Sequence, residues 1–188
     1  MIGESDYGFG QPLVTIYVLN ENRNAPKQGH NSHGLDVCFN LSEPLRIYCH
    51  RTYCLPMGVK MFVRPQDARF GDAYLMPRSS VSLLSKNHEM VHENGALGSF
   101  KSYDTHCLQM TNTFALIDWD YRGDVQGRVR LESSGNIHNV VLEPDRAYLQ
   151  LVPRSTFARF KVVNSLNEVP AEYKVETNRG DGGFGSSG

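Results

Sequence analysis

Residues 140–163 read VVLEPDRAYLQLVPRSTFARFKVV. Three short apolar runs, Val140–Leu142, Tyr148–Val152 and Phe157–Val163, are separated by Glu143-Pro144-Asp145 and by Pro153. Alternation of apolar and polar side chains places one face of a strand on a core, and proline ends the first two runs before a helix could form. Working outward, Leu13–Leu19, Val59–Val63, Ala73–Met76 and Val125–Leu131 repeat this pattern. Between them stand Pro44, Pro56-Met57-Gly58, Arg64-Pro65 and Ser133-Ser134-Gly135-Asn136, all turn formers. No internal repeat is visible, and Val81–Glu93 is the best helical window. Many short strands at regular spacing predict an all-β sandwich or barrel.

A chain of 188 residues has the length of one domain, and 40% hydrophobic residues can fill its core. Nineteen Lys and Arg against 20 Asp and Glu leave a net charge of −1. No global field exists to hold nucleic acid or an anionic membrane, so any polyanion must be met locally. No stretch approaches the roughly 18 apolar residues of a membrane helix. The opening MIGESDYGFG has neither the basic nor the apolar segment of a secretory signal, so the expected location is the cytoplasm or nucleus. In that setting Cys38, Cys49, Cys54 and Cys107 are expected as free thiols, and the spacing of Cys49, His50 and Cys54 fits no common zinc pattern. After residue 167 the strand pattern fades. The expected organisation is a β domain over 1–167 and a flexible glycine-rich arm over 168–188.

Five of the 17 glycines, Gly180, Gly182, Gly183, Gly185 and Gly188, fall in the last ten residues. Closely spaced glycines let successive backbone N–H groups turn onto a phosphate, Arg179 adds a guanidinium fork and Phe184 a flat face for a base. A low-complexity tail is the alternative reading. Upstream, Phe114–Ile117 delivers Asp118 to a strand end, followed by Asp120-Tyr121-Arg122-Gly123 in a tight turn. A carboxylate held there can orient water or bind a metal, although Asp and Gly also make ordinary hairpin turns. Met76-Pro77-Arg78-Ser79-Ser80 sets a guanidinium beside two hydroxyls, and His33-Gly34-Leu35-Asp36-Val37 places an Asp just inside a strand.

Together and in this order these segments resemble the homotrimeric dUTPases, deoxyuridine triphosphate nucleotidohydrolases, over roughly Leu13 to the C-terminus. The five ordered motifs of that family are matched by Gly34–Val37, Pro77–Ser80, Leu116–Gly123, Pro144 through Leu151, and Arg179–Gly188. The resemblance implies a distorted jelly roll or β-barrel and magnesium-dependent hydrolysis of dUTP to dUMP and pyrophosphate, which limits uracil incorporation into DNA. By match to the family, Asp118 orients and deprotonates the attacking water. Asn112 reads the uracil edge, and Tyr121 packs on the deoxyribose and excludes a 2′-hydroxyl. Arg78, Ser79, Ser80 and Gln150 match phosphate contacts, and Asp36 holds waters of the Mg2+ ion. Phe184, Gly185 and Ser186 belong to the arm that closes on the nucleotide, with Arg179 reaching the γ-phosphate. Family sites lie between subunits, so a homotrimer with shared active sites is implied. Neither nucleic acid nor membrane is implied as a partner.

The chain departs from the pattern at His33, Ser80 and Ala115, and Arg146 of the fourth motif is displaced by one position. The distance from Ser79 to Asn112 exceeds that of typical members by about twenty residues, so the resemblance places an insertion at about 83–108. It contains His88-Glu89-Met90-Val91-His92, a formal HExxH pattern, with Gly98 where a third metzincin histidine would stand. An exposed insertion whose histidines bind nothing is the preferred reading, and a partner-binding loop is the alternative. Two rival functions are a dCTP deaminase, which needs a glutamate where Val125-Gln126-Gly127-Arg128 stands, and a regulator of the same fold acting through the insertion.

Overall fold

In the computed structural model, which describes residues 13–29, 32–78, 106–112, 115–133 and 139–182, the alternating runs become strands. In chain order they are β1 (Val14–Asn20), β2 (Lys27–Gln28), β3 (Leu35–Cys38), β4 (Leu45–Tyr48), β5 (Thr52–Pro56), β6 (Val59–Phe62) and β7 (Ala73–Pro77). There follow β8 (His106–Met110), β9 (Ala115–Ile117), β10 (Gln126–Ser133), β11 (Asn139–Leu142), β12 (Ala147–Pro153) and β13 (Ala158–Val163). The largest sheet has the order β2-β3-β12-β7-β9, flanked by β13-β1-β6, β5-β10-β8 and the pair β11-β4. The chain is all-β, of jelly-roll type, and the described sheets do not close into a barrel. Its first and last strands pair in parallel, Val14 opposite Ala158 through Leu19 opposite Val163.

One core receives side chains from every strand except the two-residue β2. Phe39 and Tyr148 stack at its centre, rings 5.7 Å apart, and the Tyr148 hydroxyl accepts the Glu143 amide at 2.8 Å, so the buried phenol keeps a partner. The expected strands are displaced by no more than two residues at their ends. β4 and β5 were not foreseen, because LRIY and TYCLP carry too few apolar residues; only Ile47 and Leu55 are buried in the core from them, with Leu45 and Tyr53 packed against it half-buried. The expected turn Pro56-Met57-Gly58 buries Met57 completely. The helical window Val81–Glu93 and the HExxH segment lie outside the described residues. All four cysteines are free thiols.

The segment expected as an arm begins packed. Short 3-10 helices form at Leu166–Glu168 and Ala171–Tyr173, and Val169 and Tyr173 are buried against Tyr17, Leu19, Phe62 and Val163 in a second cluster. Tyr17 and Tyr173 meet edge to face at 4.7 Å, and Arg64 lies over the Tyr173 ring. Two apolar side chains four residues apart thus anchor a stretch whose polar composition suggested none. Among the described residues no helix is long and apolar enough to cross a membrane.

Candidate active site

Ile117 at the end of β9 pairs with Ala73 of β7, so Asp118 is the first residue released from the sheet. The turn that follows is held on several sides. The Asp72 carboxylate accepts the Trp119 amide at 3.1 Å and the Arg154 guanidinium at 2.8 Å. Arg122 donates to the carbonyls of Trp119 and Val63 at 2.7 and 3.3 Å, and its burial lowers its basicity. Tyr121 is buried, its hydroxyl donating to the Asp124 carbonyl at 2.9 Å. Burial and then the neighbouring Asp124 raise the Tyr121 phenol above its ordinary pKa. At Gly123 a Cβ would stand 2.5 Å from the Tyr121 hydroxyl, so only glycine leaves room for the ring.

The C-terminal segment closes on this turn. Thr177 donates to the Asp120 carbonyl and accepts the Gly180 amide at 3.1 Å, and the Arg122 amide donates to the Gly180 carbonyl at 2.7 Å. Gly180 takes a φ of +55°, a conformation side-chain-bearing residues adopt at a cost. The Arg179 guanidinium then bonds the Asp118 carboxylate and lies 5.5 Å from the centre of the Tyr121 ring. Arg179 Nε also donates to the Gly182 carbonyl at 3.1 Å, a bond that curls the glycine segment.

A second group forms on the large sheet. Gln150 of β12 lies between Asp36 of β3 and Met76 of β7 in the ladder. Arg78 leaves the end of β7 anchored by its amide to the Tyr148 carbonyl at 3.0 Å and by Nη1 to the Ala147 carbonyl at 3.1 Å. Its Nε meets Asp36 at 2.9 Å. Both groups of this pair stay partly open to solvent, 35% and 28% exposed, so the ion pair can exchange for a ligand.

Thus Asp118, Tyr121 and Arg179 come together, as do Asp36, Arg78 and Gln150, and the two groups stand at opposite ends of β7. Arg78 is five positions beyond Ala73, the partner of Ile117, which is roughly 17 Å at the usual strand rise. Asn112 sits exposed in the turn after β8, and Arg146 lies over the Tyr148 ring at 5.3 Å. Ser79, Ser80, Phe184, Gly185 and Ser186 lie outside the described residues. Sequence reasoning missed Asp72 and Thr177, which fix the Asp118 turn and the arm. Their partners are 47 and 57 residues away, and no local spacing announces them.

The donors near Asp36 suit a hard cation held through water. Asp36 is a partly exposed carboxylate, and among the described residues no three His, Cys, Asp or Glu side chains gather to cage a metal.

No protein-family model matches the chain. The deoxyuridine 5′-triphosphate nucleotidohydrolase of Legionella pneumophila subsp. pneumophila strain Philadelphia 1 is 30% identical over 158 residues, covering 84% of this chain and 81% of that protein. The enzyme of the same name from Chlamydia pneumoniae is 27% identical over 155 residues, 82% of this chain and 83% of that protein. Among solved structures, a dUTPase from Streptococcus mutans aligns with a TM-score of 0.46 at 21% identity, covering 78% of this chain and 94% of that one. A mutant dUTPase from phage phi11 of S. aureus, described with a structural Mg(II) ion, aligns with a TM-score of 0.46 at 16% identity, covering 81% of this chain and 98% of that one.

Proposed function

The chain belongs to the deoxyuridine 5′-triphosphate nucleotidohydrolase family, and from that premise we propose how its own residues divide the hydrolysis of dUTP to dUMP and pyrophosphate. The observation that carries the assignment of roles is the convergence of Asp118, Tyr121 and Arg179 at one strand end. Asp118 orients a water and takes its proton as the water oxygen bonds the α-phosphorus. The bond from that phosphorus to the bridging oxygen breaks, and pyrophosphate leaves with the electron pair. The buried Tyr121 ring forms a wall against the sugar; it leaves no room or partner for a 2′-hydroxyl, so ribonucleotides are rejected. Arg179 exchanges the Asp118 carboxylate for a phosphate oxygen as substrate enters, and Phe184 stacks on the base with Gly185 and Ser186 beside it. Asn112 reads the uracil edge.

Arg78 and Gln150, with Ser79 and Ser80, hold the phosphate chain. Asp36 holds waters of Mg2+, which supplies charge neutralisation on the triphosphate when bound. We assign the assembly as a homotrimer with shared active sites. What supports sharing is the separation between the Asp118 and Arg78 groups: the two halves complete one another when contributed by different subunits. Removal of dUTP keeps uracil out of DNA.

The test is product analysis of a nucleotide panel with magnesium. Stoichiometric dUMP and pyrophosphate from dUTP, with UTP and dTTP poor substrates, is the expected result. Deoxyuridine nucleotide appearing from dCTP, or no pyrophosphate from dUTP, would overturn the reading.

A further inference from the structure

Lys27 stands opposite Asp36 in the β2–β3 ladder. Residues paired across two strands present their side chains on the same face, so the ammonium and the carboxylate share a surface. With Arg23, Arg78, Asp145 and Cys38 they line a polar cavity of about 530 Å³, in which three cations face two carboxylates. Three of the other four charges there have partners, and Asp145 makes no ion pair among the described residues. Asp36 is taken by Arg78 at 2.9 Å, and Arg23 donates to the Ser42 carbonyl at 3.0 Å. Lys27 is exposed and makes no ion pair among the described residues. The rim is fixed from below, where Asn24 donates to the Pro144 carbonyl at 2.9 Å.

A surplus cation with three rotatable donors, beside an arginine already aimed into a polar cavity, suits a second phosphate group. We propose that Lys27 binds the β- and γ-phosphates of dUTP and, after cleavage, the pyrophosphate. The assignment rests on reading the Asp36, Arg78 and Gln150 group as the phosphate end of the site. Lys27 belongs to none of the five ordered motifs; the short strand β2 brings it there.

Calorimetry with magnesium pyrophosphate and with dUMP, on the unaltered full chain and on Lys27→Met and Lys27→Arg, tests the assignment without requiring turnover. Lys27→Met should weaken pyrophosphate about tenfold, as expected for loss of one charge-assisted contact, and leave dUMP affinity unchanged. Lys27→Arg should restore most of the loss. In dUTP hydrolysis the Lys27→Met defect should appear in KM more than in kcat. Pyrophosphate affinity unmoved by Lys27→Met, or dUMP and pyrophosphate weakened equally, would overturn the proposal. A chain that binds pyrophosphate through Lys27 yet releases none from dUTP would instead refute the catalytic reading and leave this one standing.

Discussion

Arg179 bonds the carboxylate of Asp118 from 61 residues further along the chain, with its guanidinium over the ring of Tyr121. Asp118, the proposed base, Tyr121, the proposed wall against the sugar, and Arg179 are thereby one unit. One oxygen of Asp118 is held by the arm itself, and a phosphate that draws Arg179 away releases it toward water. In the proposed mechanism, substrate entry and activation of the base are coupled through the Arg179–Asp118 ion pair.

Asp118→Asn keeps the size and hydrogen-bonding capacity of the side chain but loses the base. Pyrophosphate release should fall by about 10³-fold or more, within the range typical of a lost general base, with the unfolding temperature little changed. Activity within tenfold of the parent would place the base elsewhere.

Removal of residues 179–188 should abolish most turnover while leaving the fold intact, because the packed anchors Val169 and Tyr173 lie upstream. Tyr173→Ala, by contrast, should cost about 2–4 kcal/mol of stability, since it empties a buried aromatic site. Urea unfolding of the two variants separates these effects.

Asp72→Ala leaves the Trp119 amide and Arg154 without their shared acceptor. A stability loss of about 1–3 kcal/mol is expected. The freed turn should also lower kcat without a matching rise in KM, because Asp72 touches Asp118 only through the backbone. Unchanged kcat would show that the turn is held adequately by Arg122 alone.

Burial raises the phenols of Tyr121, Tyr148 and Tyr173 above the ordinary value of 10.0. The folded chain therefore keeps protons that the unfolded chain releases. Their stabilising effect is complete below pH 10 and is lost as pH climbs through the folded pKa values. Thermal unfolding should show a decline above about pH 10. Tyr148→Phe should cost about 1 kcal/mol at neutral pH, from the lost Glu143 contact, and should flatten that decline.

The proposed sharing of the site between subunits makes mixing informative. Asp118→Asn and Arg78→Gln should each be nearly inactive alone, yet subunits mixed through unfolding and refolding should recover measurable dUTP hydrolysis, because some sites draw both intact groups from different chains. Mixtures as inactive as their parents would argue that each site is built from one chain.

The strands that carry alternating or dense apolar runs were legible from their residues, as was the release of Asp118 from a strand end. β4 and β5 were not, because they contribute one deeply buried residue each and reveal themselves only as partners of β11 and β10. Glu168–Tyr173 reads as the start of a flexible arm, and its two anchors matter only once Tyr17 and Phe62 are placed beside them.

The ordered motifs were legible in the sequence alone, since each is a local run that can be matched to the family without knowing what lies beside it. Which motifs meet was decided by the tertiary structure. The β9 to β7 register sends Asp118 and Arg78 to opposite ends of a strand, the Gly180 turn returns Arg179 to Asp118, and β2 sets Lys27 across from Asp36. These relations depend on pairings between residues far apart in the chain, and local spacing holds no record of them.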